Sequence, residues 1–291
     1  MSASNTARRV LARLRPAAAP DDVLQQELAQ ARTRLRRTRT QLRQARQKAA
    51  GLERELKLTR ASLRSPVHDL VLPDRVAAVI EQVAAEKLTY LSQENLATLA
   101  TLVLDVERRG LPGAVVEAGT ARGGSAIVMA AAKSPDRPMQ VYDVFGLIPP
   151  PTDADGADVH ERYRRILAGE SRGVGEETYY GYRDNLYDEV TDSFDRLGVP
   201  VAEHGVELVQ GLFADTVHPD GPVALAHLDG DWYESTLTCL ERIAPVLVPG
   251  GRIVLDDYWA WSGCRRAVDE YFADRPGYVV ERRAKVHVVR V

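Results

Sequence analysis

Ala114-Val-Val-Glu-Ala-Gly-Thr-Ala-Arg-Gly-Gly-Ser-Ala-Ile-Val-Met-Ala-Ala-Ala-Lys133 is the stretch on which the fold turns. Ala114–Ala118 is an apolar run of strand length, the glycines after it break the run, and Gly123–Lys133 then reads as an apolar helix. The same alternation continues outward. Met139–Val144, Val206–Gln210, Val223–Leu228 and Arg252–Leu255 read as strands, and Glu234–Leu247 and Cys264–Phe272 as helices. Upstream, Arg75–Ala85 and Gln93–Arg109 read as helices, the second capped by Ser92. Continuous apolar strands alternating with helices predict a parallel sheet covered on both faces. Tyr278–Arg282 and Lys285–Val291 are two β-rich runs with almost nothing between them, so the α/β sheet is expected to end in an antiparallel hairpin.

The chain has 291 residues, 45% hydrophobic and 27% charged, enough for one large or two modest domains with a real core. That excludes a disordered or collagen-like chain. Two cysteines, Cys239 and Cys264, exclude a disulfide-stapled secreted scaffold. No apolar run approaches the roughly 18 residues of a membrane span. The N-terminus is basic without an apolar core, so it does not read as a secretory signal. A cytoplasmic protein is the expectation.

The near-neutral net charge of −3 hides two unlike modules: residues 1–66 hold sixteen Lys and Arg against five acids, and residues 67–291 hold 22 against 36. After a basic segment over 1–20, small or apolar residues recur in steps of four and three from Leu24 through Leu28, Ala31, Leu35, Thr38 and Leu42 to Leu63. This 3.5-residue period predicts a coiled-coil helix over 21–66, opened by Pro20-Asp21-Asp22 and ended by Ser65-Pro66, and with it a homo-oligomer. The arginines at 32, 34, 36, 37, 39, 43 and 46 have no interleaved aromatic residue. They read as a solvated helix face rather than a nucleic-acid surface, and leave peripheral membrane association open. The third segment, 67–291, carries the chemistry.

In open α/β sheets ligands bind at the carboxyl ends of the strands. After the first strand stands Glu117-Ala-Gly119-Thr-Ala-Arg-Gly123-Gly124-Ser125, a glycine turn leading into a helix N-terminus. Its spacing departs from the dinucleotide fingerprint, and an acid ahead of the first glycine suits a cationic ligand such as an α-amino group. Asp143, at the end of the second strand, stands where a carboxylate accepts hydrogen bonds from ribose hydroxyls. A ligand with a ribose and an ammonium group but no phosphate points to S-adenosylmethionine. The later strands end in Asp229-Gly-Asp231 and Asp256-Asp257. Capping accounts for one or two of these acids, whereas four at neighbouring strand ends repel one another unless a hard cation such as Mg²⁺ sits among them.

From Tyr180 to Phe272 the sequence resembles the macrocin O-methyltransferase family. The motifs are Asn185-Leu-Tyr-Asp, Gln210-Gly-Leu-Phe-Ala-Asp-Thr216, His227-Leu-Asp-Gly-Asp-Trp-Tyr-Glu-Ser-Thr236 and Pro249-Gly-Gly-Arg-Ile-Val-Leu-Asp-Asp-Tyr258, with the Glu117–Ser125 loop in the place of its cofactor motif. The resemblance implies a Rossmann-like class I methyltransferase sheet and methyl transfer from S-adenosylmethionine to sugar hydroxyls. It implies Mg²⁺ on Asp229, Asp256 and Asp257, with Asp231 as general base. Glu117 and Ser125, with Gly119 and Gly123 of the loop, would hold the methionine end of the cofactor, Asp143 its ribose, and the Phe213–Asp215 turn its adenine. It says nothing of residues 1–66.

The acceptor is left open between a glycosylated natural product, a nucleotide sugar and a polysaccharide, with the rod tilting the reading toward an envelope glycan. A catechol-type phenol acceptor, and a scaffold with a residual methyltransferase fold, are the alternatives. The segment from Gly146 to Asn185 reads as a substrate lid with a short helix near Val159–Leu167. Tyr179, Tyr180 and Tyr182, with Trp259 and Trp261, are its aromatic candidates for stacking on a sugar. His227 and the two cysteines read as packing residues.

Overall fold

The computed structural model describes residues 71–291 throughout and, nearer the N-terminus, residues 25, 28–43, 45–46 and 48–49. The chain divides into two units, Met1–Thr59 and Arg60–Val291. In the first, residues 28–43 form an unbroken helix on which Leu28, Leu35 and Leu42, seven residues apart, are each about half exposed. The basic segment 1–20, the seam positions Leu24 and Leu52 to Leu63, and the expected stop at Ser65-Pro66 lie outside the described residues.

The second unit opens with α1 (Asp74–Ala85) and α2 (Gln93–Arg108), the latter capped as expected by Ser92, whose Oγ accepts from Asn95 N. Then follow β1 (Ala114–Ala118), α3 (Gly124–Ala132), β2 (Met139–Asp143), α4 (Ala157–Leu167), α5 (Leu186–Arg196), β3 (Val206–Gln210), the single turn α6 (Phe213–Thr216) and β4 (Val223–Leu228). The chain finishes with α7 (Tyr233–Ile243), β5 (Leu247–Leu255), α8 (Ser262–Phe272), β6 (Tyr278–Arg282) and β7 (Val286–Arg290). The sheet order is β3-β2-β1-β4-β5-β7-β6, with β1 to β5 parallel and β7 running antiparallel between β5 and β6.

Alternation along each central strand explains why both faces are apolar. Val115, Val141, Leu225 and Val254 pack against α1, α2 and α3 through residues such as Val83, Leu96, Val103 and Ile127. Val116, Ala226, Ile253 and Leu255 pack the other way, with Leu240 and Ile243 of α7 and Val268 of α8. Every residue of α3 is buried, as its unbroken apolar composition requires.

Two elements differ from the sequence expectation. The helix expected to run from Glu234 to Leu247 stops at Ile243, a 3₁₀ turn containing Pro245 follows, and β5 begins at Leu247. Leu247 pairs with Val223, the register then shifts, and Arg252 pairs with Leu225. Pro249-Gly250-Gly251 is thus an irregularity inside a strand rather than a turn before one. A Cβ on Gly251 would lie 2.8 Å from Val248 O and 3.0 Å from Ala224 O. The other difference is α5, a helix absent from the sequence expectation, where Leu186, Val190 and Phe194 recur every four residues and are buried.

The chain enters the sheet at β1, fills positions to one side with β2 and β3, and then crosses to β4 on the other. The gap between the carboxyl ends of β1 and β4 is therefore the switch point where such sheets hold their ligands.

Candidate active site

At that switch point the backbone itself closes up. Asp229 N donates to Ala118 O at 2.9 Å, and Asp256 N to Leu228 O at 2.9 Å, so each strand-end acid is held by the ladder of its neighbour. Gly119 has φ +89, and a Cβ there would lie 1.9 Å from Asp229 O. No side chain fits, and the loop can approach β4 only as glycine. Gly119→Ala is expected to destabilise the domain by about 3 kcal/mol or more, from backbone strain plus overpacking. Thermal unfolding measures this, and an unchanged midpoint would show that the close approach is not required.

Asp143 ends β2 almost fully buried. Its Oδ2 accepts from Thr120 N at 2.7 Å and Ala121 N at 3.1 Å, and its Oδ1 from Phe145 N at 2.7 Å. Burial raises its carboxyl above the usual range despite these three donors. Through Thr120 and Ala121 it braces the glycine loop. Ala121, Phe145 and Asp231 each adopt a positive φ, and all three flank this site.

Of the other residues expected on the cofactor, Phe213 lines a cavity of about 50 Å³ together with Gly119, Asp143, Ile148, Pro149 and Ser235. Gly123, φ +86, caps α3. Ser125 is buried in the first turn of α3, Glu117 is buried on β1, and neither lines this cavity. Asp215 is exposed on α6 and does not face it.

The acids after β4 and β5 converge. Asp229, Asp231 and Asp257 each offer a carboxylate oxygen, all within 4.8 Å of one another. Asp231 does not cap α7, whose capping residue is Trp232. Instead its backbone sits at φ +56 and its N–H donates to Asp257 Oδ2 at 2.9 Å, while the Trp261 side chain donates to its carboxylate. Burial and then the neighbouring carboxylates push Asp229 and Asp231 well above the carboxylate range, and burial and Asp256 push Asp257 up to about 6. A divalent cation removes both penalties, and an all-oxygen donor set suits a hard one.

Asp256, expected to join Asp229 and Asp257, lines the same space but is engaged elsewhere. Its Oδ1 lies 2.6 Å from Lys285 Nζ and 3.7 Å from His227 Nε2. Burial alone would raise this carboxyl, yet His227 and the Lys285 charge hold it below the usual range. His227 is far more than a packing residue. It stands directly across the ladder from Glu117, both fully buried, and its Nδ1 lies 2.8 Å from Glu117 Oε1. Burial disfavours the imidazolium, but Asp256 and Glu117 outweigh that and push it up to about 9. Pairing of β1 with β4 and of the hairpin with β5 creates this network, which no local motif announces. Glu117 Oε2 remains buried with no hydrogen-bond partner among the described residues.

Above the acids is a cavity of about 210 Å³, whose walls include Tyr90, Arg162, Tyr179, Tyr180, Trp232 and Trp261. The expected lid forms much of it, and that segment is pinned rather than loose. Trp232 Nε1 donates to Pro149 O at 2.9 Å, and Asp155 Oδ1 accepts from Tyr233 N at 2.8 Å. Tyr182 instead packs away, its hydroxyl donating to Ile166 O, and Trp259 is partly exposed with its indole on Arg283 O. Tyr90, Arg162 and Trp232 were not anticipated. Cys239 and Cys264 are buried thiols pushed up by burial, as inert residues would be.

A seven-stranded sheet with a reversed penultimate position, a glycine loop after β1, and acids after β2, β4 and β5 at the switch point define a class I methyltransferase fold. The family model described as macrocin-O-methyltransferase (TylF) matches residues 22–277. The match therefore extends into the N-terminal unit that the motifs left out. The 8-demethyl-8-(2,3-dimethoxy-alpha-L-rhamnosyl)-tetracenomycin-C 4'-O-methyltransferase of Streptomyces olivaceus is 35% identical over 189 residues, covering 63% of this chain and 67% of that protein. The demethyldecarbamoylnovobiocin O-methyltransferase of Streptomyces niveus is 32% identical over 192 residues, covering 64% and 68%. The solved structure of the O-methyltransferase NovP superposes with a TM-score of 0.57 at 27% identity, covering 72% of this chain and 88% of that one. The chain belongs to the macrocin O-methyltransferase family and is an O-methyltransferase. Among the described residues no helix is long and apolar enough to cross a membrane.

Proposed function

We propose that this enzyme moves the methyl group of S-adenosylmethionine to a sugar hydroxyl with the help of Mg²⁺ or a similar divalent cation. The observation that carries the reading is the cluster of Asp229, Asp231 and Asp257 at the switch point, beneath an aromatic-walled cavity. The names of relatives support the acceptor class, since one acts on a rhamnosyl-tetracenomycin and another is a mycinamicin III 3''-O-methyltransferase.

S-adenosylmethionine suits the residues present. Glu117 Oε2, buried and unpartnered, matches an ammonium group, and the loop held tight by Gly119 leads to the α3 N-terminus. Asp143 stands beside Phe213 where a ribose and an adenine would lie. Asp229 and Asp257 would hold the cation, with Asp256, beside Asp257 after β5 and paired to Lys285, as the remaining expected ligand, and the cation would supply charge stabilisation for the alkoxide developing on the sugar. Asp231 takes the proton of the attacking hydroxyl on a carboxylate oxygen as the new C–O bond forms and the C–S bond breaks. Trp261 holds that carboxylate in place, and the pinned segment over the cavity keeps water from competing.

Methyl-labelled S-adenosylmethionine, incubated with the purified enzyme and a mixture of rhamnosyl glycosides and simple catechols, with and without a chelator, tests the reading. The expected result is label on the sugar that chelation abolishes and added magnesium restores. Label that survives chelation would remove the cation from the mechanism, and label found only on phenols would move the acceptor to the catechol class.

A further inference from the structure

We infer that the acceptor sugar carries an anionic group, a carboxylate or a phosphate, and that Arg162 is the residue that receives it. The inference rests on the sugar-acceptor reading above and narrows it.

Among the described residues that line the cavity Arg162, on α4, is the one cation. The acids opposite have their own arrangements: Asp256 is paired with Lys285, and Asp229, Asp231 and Asp257 form the cluster suited to a divalent ion. Arg162 has no carboxylate in ion-pair contact among the described residues. One nitrogen, Nη1, donates to Ser171 Oγ at 3.0 Å, and its guanidinium carbon lies 5.5 Å from the centre of the Tyr179 ring. A guanidinium has five N–H donors in a rigid fork, so one bond and a stacking contact orient it while most of its donors stay available. A neutral sugar uses such a fork poorly, whereas a carboxylate or phosphate oxygen pair takes two donors at once.

Two further arginines lie near this wall, Arg122 and Arg183, but Arg183 is ion-paired to Glu189 at 2.7 Å and to Glu177 at 3.8 Å, which leaves Arg162 as the cation on offer. Arg122 and Arg183, with Arg162, act electrostatically on the Tyr90 hydroxyl at the cavity wall, each opposing the rise that burial imposes on it. Arg122 has its Nη1 on Lys87 O, and burial lowers its pKa, with Arg183 adding to the effect. The cavity is therefore bipolar, its lining holding the strand-end acids where the reacting hydroxyl belongs and the Arg162 guanidinium besides. An acceptor with a hydroxyl at one end and an anion at the other is held in one direction. The competing role for Arg162 is as counter-charge to Asp231, on whose carboxyl it also acts.

The test is titration calorimetry on the full chain loaded with magnesium and adenosylhomocysteine, using methyl rhamnoside, methyl glucuronoside and rhamnose 1-phosphate as probes. At least one anionic probe should bind about tenfold or more tighter than the neutral one. Arg162→Gln should erase that preference, Arg162→Lys should retain part of it, and adenosylhomocysteine affinity should report that both variants are folded. The glucuronoside and phosphate arms separate the two anion sources. Equal affinity for all three probes, or an Arg162→Gln loss of the same factor on each, would overturn the inference and leave Arg162 serving Asp231. Methyl transfer to neutral sugars alone would likewise reject it while the sugar reading stands. Absence of both binding and transfer for every sugar would remove the sugar reading as well.

Discussion

Asp231→Asn is expected to lower turnover by about 10²- to 10⁴-fold, the usual contribution of a positioned general base, while cofactor affinity stays within about a factor of two. The substitution is unusually clean at this position. Asp231 holds a left-handed backbone at φ +56, a region that asparagine tolerates as readily as aspartate, so the turn survives. Its N–H can still donate to Asp257 Oδ2, and the side-chain amide oxygen can still accept from Trp261. What is lost is the capacity to take a proton. Removing one charge also relieves repulsion on Asp229 and Asp257, whose carboxyls are raised first by burial and then by neighbouring acids. Single-turnover rates with parallel calorimetry for magnesium and cofactor decide the matter. Full activity would refute the base assignment, and loss of magnesium binding in step with activity would make Asp231 a ligand instead.

His227→Leu should cost about 3–5 kcal/mol of stability, the range for removing one partner of a buried ion pair. For a domain of this size each kcal/mol moves the unfolding midpoint by about 2–4 °C, so the midpoint should fall by roughly 6–20 °C. The reason is that Glu117 has no water to turn to. It is fully buried, with His227 as the partner of its Oε1 and nothing among the described residues on Oε2. Asp256 would lose a neighbour too, though Lys285 remains on it. Replacing both members, Glu117→Met with His227→Leu, should recover most of the stability, because apolar groups of similar volume leave no stranded charge. That double variant also keeps the test decisive if the single one fails to fold. A wild-type midpoint for His227→Leu would mean that the network is structurally idle, and a double variant no better than the single one would mean that packing, not charge, is what His227 supplies.

Much of the fold was legible because its signals are local. Ala114–Ala118 followed by glycines and an apolar helix needs no distant partner to be recognised, and the closing hairpin was visible in two β-rich runs around Arg283-Ala284. The extent of β5 differs from the sequence expectation because tertiary pairing overrides a local preference, whereas α5 follows its own local period. Pro249-Gly-Gly reads as a turn, yet the ladder with β4 captures Leu247 and carries the strand across it. The site divides in the same way. Asp143, Asp229, Asp231 and Asp257 could be picked out because strand-end acids after glycine loops are a sequence pattern with a chemical meaning. Arg162, in contrast, reaches the cavity only because the segment between β2 and α5 folds over it, and Tyr90 comes to the same cavity from the loop between α1 and α2.

By itself, then, the amino-acid sequence determined the alternation of strands and helices and the acids at the strand ends, since period, turn chemistry and charge density are properties of neighbours along the chain. Only the tertiary structure decided which acids share one space and which are spoken for. Asp256 and Asp257 are adjacent in sequence and identical in type, but consecutive residues beyond a strand point apart. One meets Lys285 and His227, which β7 and β4 bring to it, and the other meets Asp229 and Asp231. A carboxylate's role follows from the charges within a few ångströms of it, and those are set by strand order rather than by sequence distance.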